Sequence, residues 1–290
     1  MYGENEKQAS YKRKVLRRKR LFIFLFVLAG LCVAAFYNGL TIRNYSINSD
    51  KLEAGESVRV VLLADLHSYI YGNGQDKLIR KIISQNPDII LLAGDIADDI
   101  VPIEGTRLLL EGISEAAPVF YVSGNHEYWS GDIKSIKELI RSYGVTVLED
   151  EYQEIIVNGV PVIIAGLDDP DRTLFESIDS KKSMDEAFRE LASKDHFKIL
   201  AAHRPELIEL YKQYSFDLVV SGHAHGGQIR IPFLLNGLAA PNQGWFPKYA
   251  GGMYEHESLT HIVSRGLSIN PRLPRIFNPP EIVVIDILPS

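Results

Sequence analysis

The strongest constraint on the fold is a series of five largely apolar segments, each of which ends at a polar cluster. Continuous apolar runs of this length predict strands that are buried on both faces. Open α/β sheets bind their ligands just beyond the carboxyl ends of such strands. The segments are Val58–Ala64, Asp88–Ala93, Pro118–Ser123, Lys198–Ala202 and Asp217–Ser221. We therefore predict an α/β fold whose functional site lies at that edge of the sheet.

The polar clusters offer carboxylate, imidazole and amide groups, but no thiolate. They are Asp65-Leu66-His67, Gly94-Asp95-Ile96-Ala97-Asp98, Gly124-Asn125-His126-Glu127, His203 and Gly222-His223-Ala224-His225. Oxygen and nitrogen donors without sulfur suit divalent metals such as Mn, Fe or Zn. The clusters together predict a site for such metals.

The spacing of the first three clusters brings them together in space. Asp65, Asp95 and Asn125 follow one another at intervals of thirty residues. One strand–helix–strand unit is about that long, roughly 30 residues. The intervening stretches 75–86 and 104–116 carry apolar residues at helical spacing. Right-handed crossovers would therefore place the three strand ends side by side.

Each cluster also has an ordinary structural interpretation. A Gly-Asp pair after a strand is usually a turn whose Asp caps a helix. Two histidines separated by one residue can simply share one face of a strand. The other histidines, His196, His256 and His261, end no comparable segment, so we interpret them as structural or surface residues. Five clusters in the same strand-end context favour the metal site over these separate interpretations.

The complete set resembles the calcineurin-like metallophosphoesterase superfamily. The matching blocks are Asp65-x-His67, Gly94-Asp95-x-x-Asp98, Gly124-Asn125-His126-Glu127, His203 and Gly222-His223-x-His225. They lie in a region from about Val58 to the C-terminus. The extension 222–232 and the later Ser264–Leu267 are similar to the YkuE/YaeI-type branch, which usually has Thr where this chain has Ala224. Ala224 is not expected to be a ligand, so we expect metal binding to be retained.

This resemblance implies a fold, two metal ions and a role for each site residue. The fold is a two-sheet β-sandwich flanked by helices, in four α/β/β/α layers. Mn is the favoured metal, with Fe or Zn as the other choices. One metal is held by Asp65, His67 and His225, the other by Asn125, His203 and His223, and Asp95 bridges both. His126 is the catalytic acid that protonates the leaving oxygen, and Asp98 orients its ring.

The N-terminal segment predicts a membrane anchor. Residues 21–40 carry no charge, and about 20 apolar residues are enough to span a bilayer. A cleaved signal peptide is the alternative. Eight basic residues in 1–20, against two acidic ones, place that tail in the cytoplasm. We therefore expect a single-pass protein of the cell membrane whose catalytic domain is extracytoplasmic.

The remaining chain divides into a stalk over 41–56 and a catalytic domain over 57–290.

Only two of the 37 acidic residues lie in 1–20, whereas eight of the 31 basic ones do, so the rest of the chain is strongly acidic. Such an acidic domain lacks the excess of basic residues that non-specific binding of nucleic acid requires, so no nucleic-acid partner is expected.

The loop Pro241–Tyr254 is aromatic and rich in Gly, and is predicted either to line a binding surface or to cover its own apolar patch.

The predicted function is hydrolysis of phosphate esters by metal-activated water at the outer face of the membrane, as a phosphodiesterase or phosphatase. One alternative is a pyrophosphohydrolase of a nucleotide-linked lipid precursor at the cytoplasmic leaflet. The other is a non-catalytic metal-binding scaffold. A C-terminus on the cytoplasmic side of the membrane would favour the first alternative, the pyrophosphohydrolase. Retained cellular function after complete loss of metal would favour the second.

Overall fold

The computed structural model describes residues 2–176, 180–269 and 273–290, which fall into one unit ending at Tyr37 and another spanning Asn38–Ser290. The helices are α1 (Tyr2–Ala35), α2 (Asp76–Ile83), α3 (Glu104–Ile113), α4 (Asn125–Trp129), α5 (Ile133–Ser142), α6 (Ser180–Phe188) and α7 (Ile208–Tyr211). The strands are β1 (Thr41–Ser49), β2 (Val58–Leu63), β3 (Ile89–Ala93), β4 (Val119–Val122), β5 (Thr146–Val147), β6 (Glu151–Val157), β7 (Val160–Leu167), β8 (Phe197–Ala202), β9 (Leu218–Ser221), β10 (Ala239–Ala240), β11 (Gly244–Trp245), β12 (Gly252–Glu255), β13 (Thr260–Val263) and β14 (Glu281–Pro289).

Most of the described strands belong to two six-stranded sheets. The first sheet has the order β1-β14-β2-β3-β4-β5 and the second has the order β12-β13-β9-β8-β7-β6. β2, β3 and β4 are parallel neighbours, and so are β8 and β9 in the second sheet. The carboxyl ends of these five strands therefore lie along one edge of their sheets, as the apolar segments predicted. Helices α2 and α3 lie within the predicted stretches 75–86 and 104–116.

Alternating side chains fill three apolar layers. In β2, Val60 and Leu62 enter the layer between the two sheets, which Ile199 of the second sheet also joins. Val61 and its neighbours on the opposite face pack beneath α2, α3 and α5. Leu200 and the outer face of the second sheet pack against α6 and α7. This mixed α/β architecture has two facing sheets with helices outside both, which confirms the predicted fold class.

The N-terminal helix differs from its prediction. α1 ends at Ala35, before the turn-forming pair Asn38-Gly39, so the predicted 21–40 segment is helical only in its first part. Among the described residues, no helix is long and apolar enough to cross a membrane. The transmembrane helix predicted over 21–40 is therefore not supported.

The predicted stalk is wrong, because most of residues 41–56 belongs to the first sheet. β1 pairs in parallel with β14 along its whole length, from Thr41 with Glu281 to Ser49 with Pro289. Ile47 is buried in the layer between the sheets. The partner strand lies more than 230 residues away in the sequence, so local patterning gave no sign of this pairing.

We expect a fragment that begins at Asn38 to fold, and one that begins at Asn44 to be less stable. The shorter fragment lacks the first three residues of β1, including Thr41, whose N–H and hydroxyl both donate to the carbonyl of Pro280 at 2.9 Å. Each lost hydrogen bond contributes about 0.5–1.5 kcal/mol, so the deficit is about 2 kcal/mol or more. Urea denaturation of both fragments measures it. Equal midpoints would show that the start of β1 does not contribute to stability.

Candidate metal centre

Loops from both sheets meet at the shared edge. The N–H of His223, beyond β9, donates to Oδ1 of Asp65, beyond β2, at 2.8 Å. Nδ1 of His203, beyond β8, lies 2.8 Å from the carbonyl oxygen of Ala93 at the end of β3. A carbonyl can only accept, so Nδ1 of His203 carries the proton and Nε2 is left to bind a metal.

The backbone at this edge adopts a sparsely populated conformation. Five of the seven predicted metal ligands have φ between 47° and 65°: Asp65, His67, Asp95, His223 and His225. Residues other than glycine rarely adopt the left-handed region, and such strain concentrates at functional sites. The loops therefore hold these side chains in directions that an extended or helical backbone would not give.

Asp65, His67 and His225 form the first group of candidate ligands, with ligand atoms that all lie within 4.8 Å of one another. Nε2 of His225 is 3.9 Å from Oδ1 of Asp65. The rings of His67 and His225 are stacked, with centroids 5.3 Å apart. The structure thus brings together the three residues that were predicted to hold one metal.

Asp95, His203 and His223 form the second group, within the same 4.8 Å limit. Nε2 of His203 lies 3.1 Å from Oδ2 of Asp95 and 3.2 Å from Nδ1 of His223. Nε2 of His223 is 2.8 Å from Oδ1 of Asn242. Since an amide oxygen accepts, Nε2 of His223 is the protonated nitrogen and Nδ1 faces the site.

Asp95 connects the two groups. Its Oδ2 atom lies 3.1 Å from Nε2 of His203 in the second group and 3.7 Å from Nε2 of His67 in the first. The N–H of His126 donates to the other oxygen, Oδ1, at 2.9 Å and fixes the carboxylate. Asp95 is therefore positioned to contact two ions at once.

Three buried polar atoms at the site have no hydrogen-bond partner among the described residues: Oδ2 of Asp65, Nε2 of His67 and Oδ1 of Asn125. Buried polar atoms are nearly always paired, so each unpaired one needs an explanation. All three belong to predicted ligands and are of the oxygen and nitrogen type that divalent metals bind. The residues present therefore fit the predicted metals.

Glycines allow this close approach of the loops. A Cβ on Gly124 would lie 2.2 Å from Oδ1 of Asp95, and one on Gly266 would lie 2.6 Å from Oδ2 of Asp65. Gly266 also has φ of 74°. A side chain at either position would displace a candidate ligand.

The electrostatics prepare some of the ligands for metal, and hold others in the protonated form. Burial, with His203 and Arg204 nearby, lowers the pKa of His223 to about 3, so this imidazole is neutral. Burial opposes the ionisation of Asp95, but His203 holds the pKa of that carboxyl well below its usual value. Burial also lowers the pKa of His203, yet Asp95 raises it to about 10. His203 must therefore release a proton when it binds a metal.

Glu127 is a structural residue of the site whose role the sequence did not reveal. Its buried carboxylate accepts the N–H groups of Asp95, Ile96 and Ala97 at 2.9, 2.7 and 3.0 Å, and that of Gly124 at 2.8 Å. The carboxylate thus joins the loops beyond β3 and β4. Burial and the charge of Asp95 raise the pKa of Glu127 to about 7.

We expect Glu127→Gln to lower the free energy of unfolding by about 2 kcal/mol or more. The amide nitrogen cannot accept, so two buried N–H groups lose their acceptor, at about 1–3 kcal/mol each. Thermal denaturation and metal content measure the effect. Glu138→Gln, at an exposed position of α5, is the matched control. A Glu127→Gln protein as stable as this control would show that the network is dispensable.

His126 lies beside Asp95 but has a different carboxylate partner from the one predicted. Its Nδ1 is 2.6 Å from Oδ1 of Asp99 and 3.5 Å from Oδ2 of Asp98. Asp98 instead lies 2.8 Å from Nδ1 of His67. Asp99 is therefore the nearer partner of His126, while Asp98, which was predicted to orient that ring, lies between His126 and the candidate ligand His67. The directions of the two side chains in the loop after β3 determine which of Asp98 and Asp99 lies closer to His126.

The loop Pro241–Tyr254 contributes Asn242 to the site. Oδ1 of Asn242 also accepts from Arg204 at 2.8 Å, and Arg204 donates to both carboxylate oxygens of Asp169. Nothing in the spacing of these residues signalled the network. Trp245 and Phe246 of the same loop are exposed, whereas Tyr249 is buried. Asn242 and Arg204 thus orient His223 from behind.

We expect Asn242→Ala to weaken metal binding by the second group about 10- to 100-fold, because residues that orient a metal-binding histidine have effects of this size. Metal titration of the metal-free protein measures the affinity. Asn73→Ala, on an exposed turn, is the control. Unchanged affinity would mean that Asn242 does not fix the imidazole.

Comparisons with known proteins agree with this geometry. The family model for calcineurin-like phosphoesterase matches residues 58–227. An uncharacterized metallophosphoesterase of Helicobacter pylori (strain J99) is 30% identical over 289 residues, which cover 96% of this chain and 73% of that protein. The uncharacterized metallophosphoesterase YkuE of Bacillus subtilis (strain 168) is 30% identical over 254 residues, covering 83% and 82% of the two chains.

A solved structure shows the same fold at low identity. The 5'-nucleotidase precursor from Thermus thermophilus superposes with a TM-score of 0.50 and 15% identity, over 80% of this chain and 54% of that chain. The family match contains all nine predicted site residues and ends just beyond His225. The chain therefore belongs to the calcineurin-like phosphoesterase family and is a hydrolase of phosphoric ester bonds.

Proposed function

We propose that this protein hydrolyses phosphate mono- or diesters with two divalent metal ions. The observation that carries the proposal is the position of Asp95, whose Oδ2 lies within 3.7 Å of a ligand atom from each group. Two such ions would polarise the phosphoryl oxygens and supply an activated water as nucleophile. Mn is the favoured metal by family resemblance, with Fe or Zn as alternatives.

The chain's own residues would then hold and orient the reactants. Asp65, His67 and His225 would hold one ion, Asn125, His203 and His223 would hold the other, and Asp95 would serve both. The left-handed backbone fixes most of these directions before substrate arrives. Binding therefore requires little rearrangement of the site, which favours catalysis by positioning.

His126 is placed to move a proton at the leaving group. Its side chain is 26% exposed, whereas that of Asp95 is 1% exposed, so substrate can reach the imidazole. Asp99 at Nδ1 leaves Nε2 of His126 directed away from that carboxylate. Protonation of the departing oxygen by this ring would speed the loss of a poor leaving group.

Assays of the purified full chain with several metals test the proposal. We expect hydrolysis of bis(p-nitrophenyl) phosphate or p-nitrophenyl phosphate that is lost with a chelator and restored by Mn, Fe or Zn. Metal binding without hydrolysis of any ester would favour the non-catalytic scaffold. Preference for a nucleotide pyrophosphate linked to lipid would favour the alternative pyrophosphohydrolase.

We also propose that the catalytic unit acts outside the cytoplasm. The proposal is supported by the eight basic residues that precede the uncharged segment from Leu21, a charge pattern that export signals share. An alkaline phosphatase reporter fused after Ser290 should be active in cells. If the alkaline phosphatase fusion is inactive, and a reporter that works only in the cytoplasm is active at the same position, the catalytic unit lies in the cytoplasm.

A further inference from the structure

A cavity of about 680 Å³ lies outside the candidate metal centre. The residues that line it include three arginines, Arg43, Arg230 and Arg265, and the apolar residues Phe233 and Leu234. Small-molecule sites usually enclose about 300–1,000 Å³. The size and the mixed lining are therefore those of a binding site for an organic ligand.

The charge in this cavity is not balanced by the protein. Glu281 is the carboxylate near the three arginines among the described residues, at 3.3 Å from Nε of Arg265 and 3.9 Å from Nε of Arg43. Arg230 forms no ion pair within the described chain, and its buried Nη1 has no hydrogen-bond partner there. Glu281 also acts on Arg230 from a longer distance, but one carboxylate cannot balance three guanidinium groups, so the cavity favours an anion.

Arg230 is also held away from water. Burial, with repulsion from Arg265, lowers the pKa of Arg230 to about 10, and the group stays charged at neutral pH. Its Nη2 donates to Asn236, which leaves Nη1 as the free donor. Guanidinium groups bind phosphate oxygens through charged N–H donors, so Arg230 and Arg265 together suit a phosphate group.

The rim of the cavity is apolar and exposed. Phe233 is 107% exposed and Leu234 is 84% exposed, at consecutive positions of the loop that follows Arg230. Phe233 has φ of 67°, which is rare for a bulky residue. Adjacent large apolar side chains in water beside a cationic cavity are suited to a ligand with an apolar tail.

We propose that this cavity binds the phosphate head group of a lipid. Arg230 and Arg265 hold the phosphate oxygens, and the acyl chains lie along Phe233 and Leu234. Arg265 directly precedes Gly266, which packs against Asp65, so the bound lipid lies beside the metal centre. Binding here requires no turnover and is therefore separate from the hydrolysis proposed above.

Calorimetric titration of the metal-loaded full chain tests the proposal. The probe is the non-hydrolysable phosphonate analogue of dihexanoylphosphatidic acid, and methylphosphonate serves as the same anion without chains. We expect the lipid analogue to bind at least about tenfold more tightly than methylphosphonate, because its chains bury apolar surface. Equal affinity of the two ligands would overturn the lipid assignment and leave a site for free phosphate or for metal-bound phosphonate.

Two variants and two controls locate the site. Arg230→Gln should weaken binding of the lipid analogue about 10- to 100-fold, as expected for loss of a charged hydrogen bond. Phe233→Ser, at an exposed position that cannot unfold the core, should weaken it about fivefold or more. Arg80→Gln changes another arginine and Ile156→Ser another exposed apolar residue, both away from the cavity, and both variants should bind like the wild type. Wild-type affinity in both Arg230→Gln and Phe233→Ser would exclude this cavity.

Discussion

Asp95→Asn is expected to abolish turnover and to remove most of the bound metal. The amide keeps the size of the carboxylate but loses its charge and one of its two acceptor oxygens. Because Oδ2 of Asp95 lies near ligand atoms of both groups, the substitution weakens both sites together. Metal analysis of the purified protein and an ester hydrolysis assay measure the two effects.

Asp50→Asn, on the exposed surface, is the matched control and should retain wild-type activity and metal content. The result that would contradict the shared role is an Asp95→Asn protein that still holds two metals. An intermediate outcome, with one metal retained, would assign Asp95 to a single group. A wild-type melting profile in the metal-free state would confirm that the loss is local.

His126→Ala is expected to keep its metal and to lose turnover by about 10²–10⁴-fold, the usual cost of removing a general acid. The loss should be largest for alkyl esters, whose leaving oxygen needs a proton. It should be small for p-nitrophenyl esters, whose phenolate departs without one. Rates for a series of leaving groups of graded pKa, with metal content measured in parallel, distinguish these cases.

The corrected hydrogen-bond partners sharpen this test. Asp99→Asn should give a weaker version of the His126→Ala pattern, because Asp99 acts through the imidazole at 2.6 Å. Asp98→Asn should instead lower metal affinity through His67. His196→Ala, at a partly exposed position, is the histidine control. If His126→Ala releases metal, or slows all leaving groups equally, His126 is a ligand or a charge stabiliser instead.

The apolar sequences of the strands made the position of the candidate metal centre predictable. Runs such as those of β2 and β3 are buried on both faces, so their sequence is apolar without alternation and their ends are easy to locate. The thirty-residue interval then placed Asp65 beside Asp95 from the sequence alone. Parallel strands align their carboxyl ends, and this rule needs only the order and length of the elements.

Contacts between distant segments could not be predicted in this way. β1 has an edge position and a partly exposed pattern, and its partner β14 is at the other end of the sequence. Asn242 reaches His223 from a loop without regular structure. The choice between Asp98 and Asp99 depends on a few backbone angles in one turn. All three depend on tertiary packing, which single-sequence patterns do not encode.

The position of β14 has a consequence for how the protein is made. β14 lies between β1 and β2, so these two strands cannot join one sheet before residues 281–289 have been synthesised. Pairings across such a sequence distance slow folding. Meanwhile β1 and one edge of β2 remain unpaired, and exposed strand edges promote aggregation. We infer that a ribosome-bound chain lacking its last ten residues would depend on chaperones more than the finished protein does.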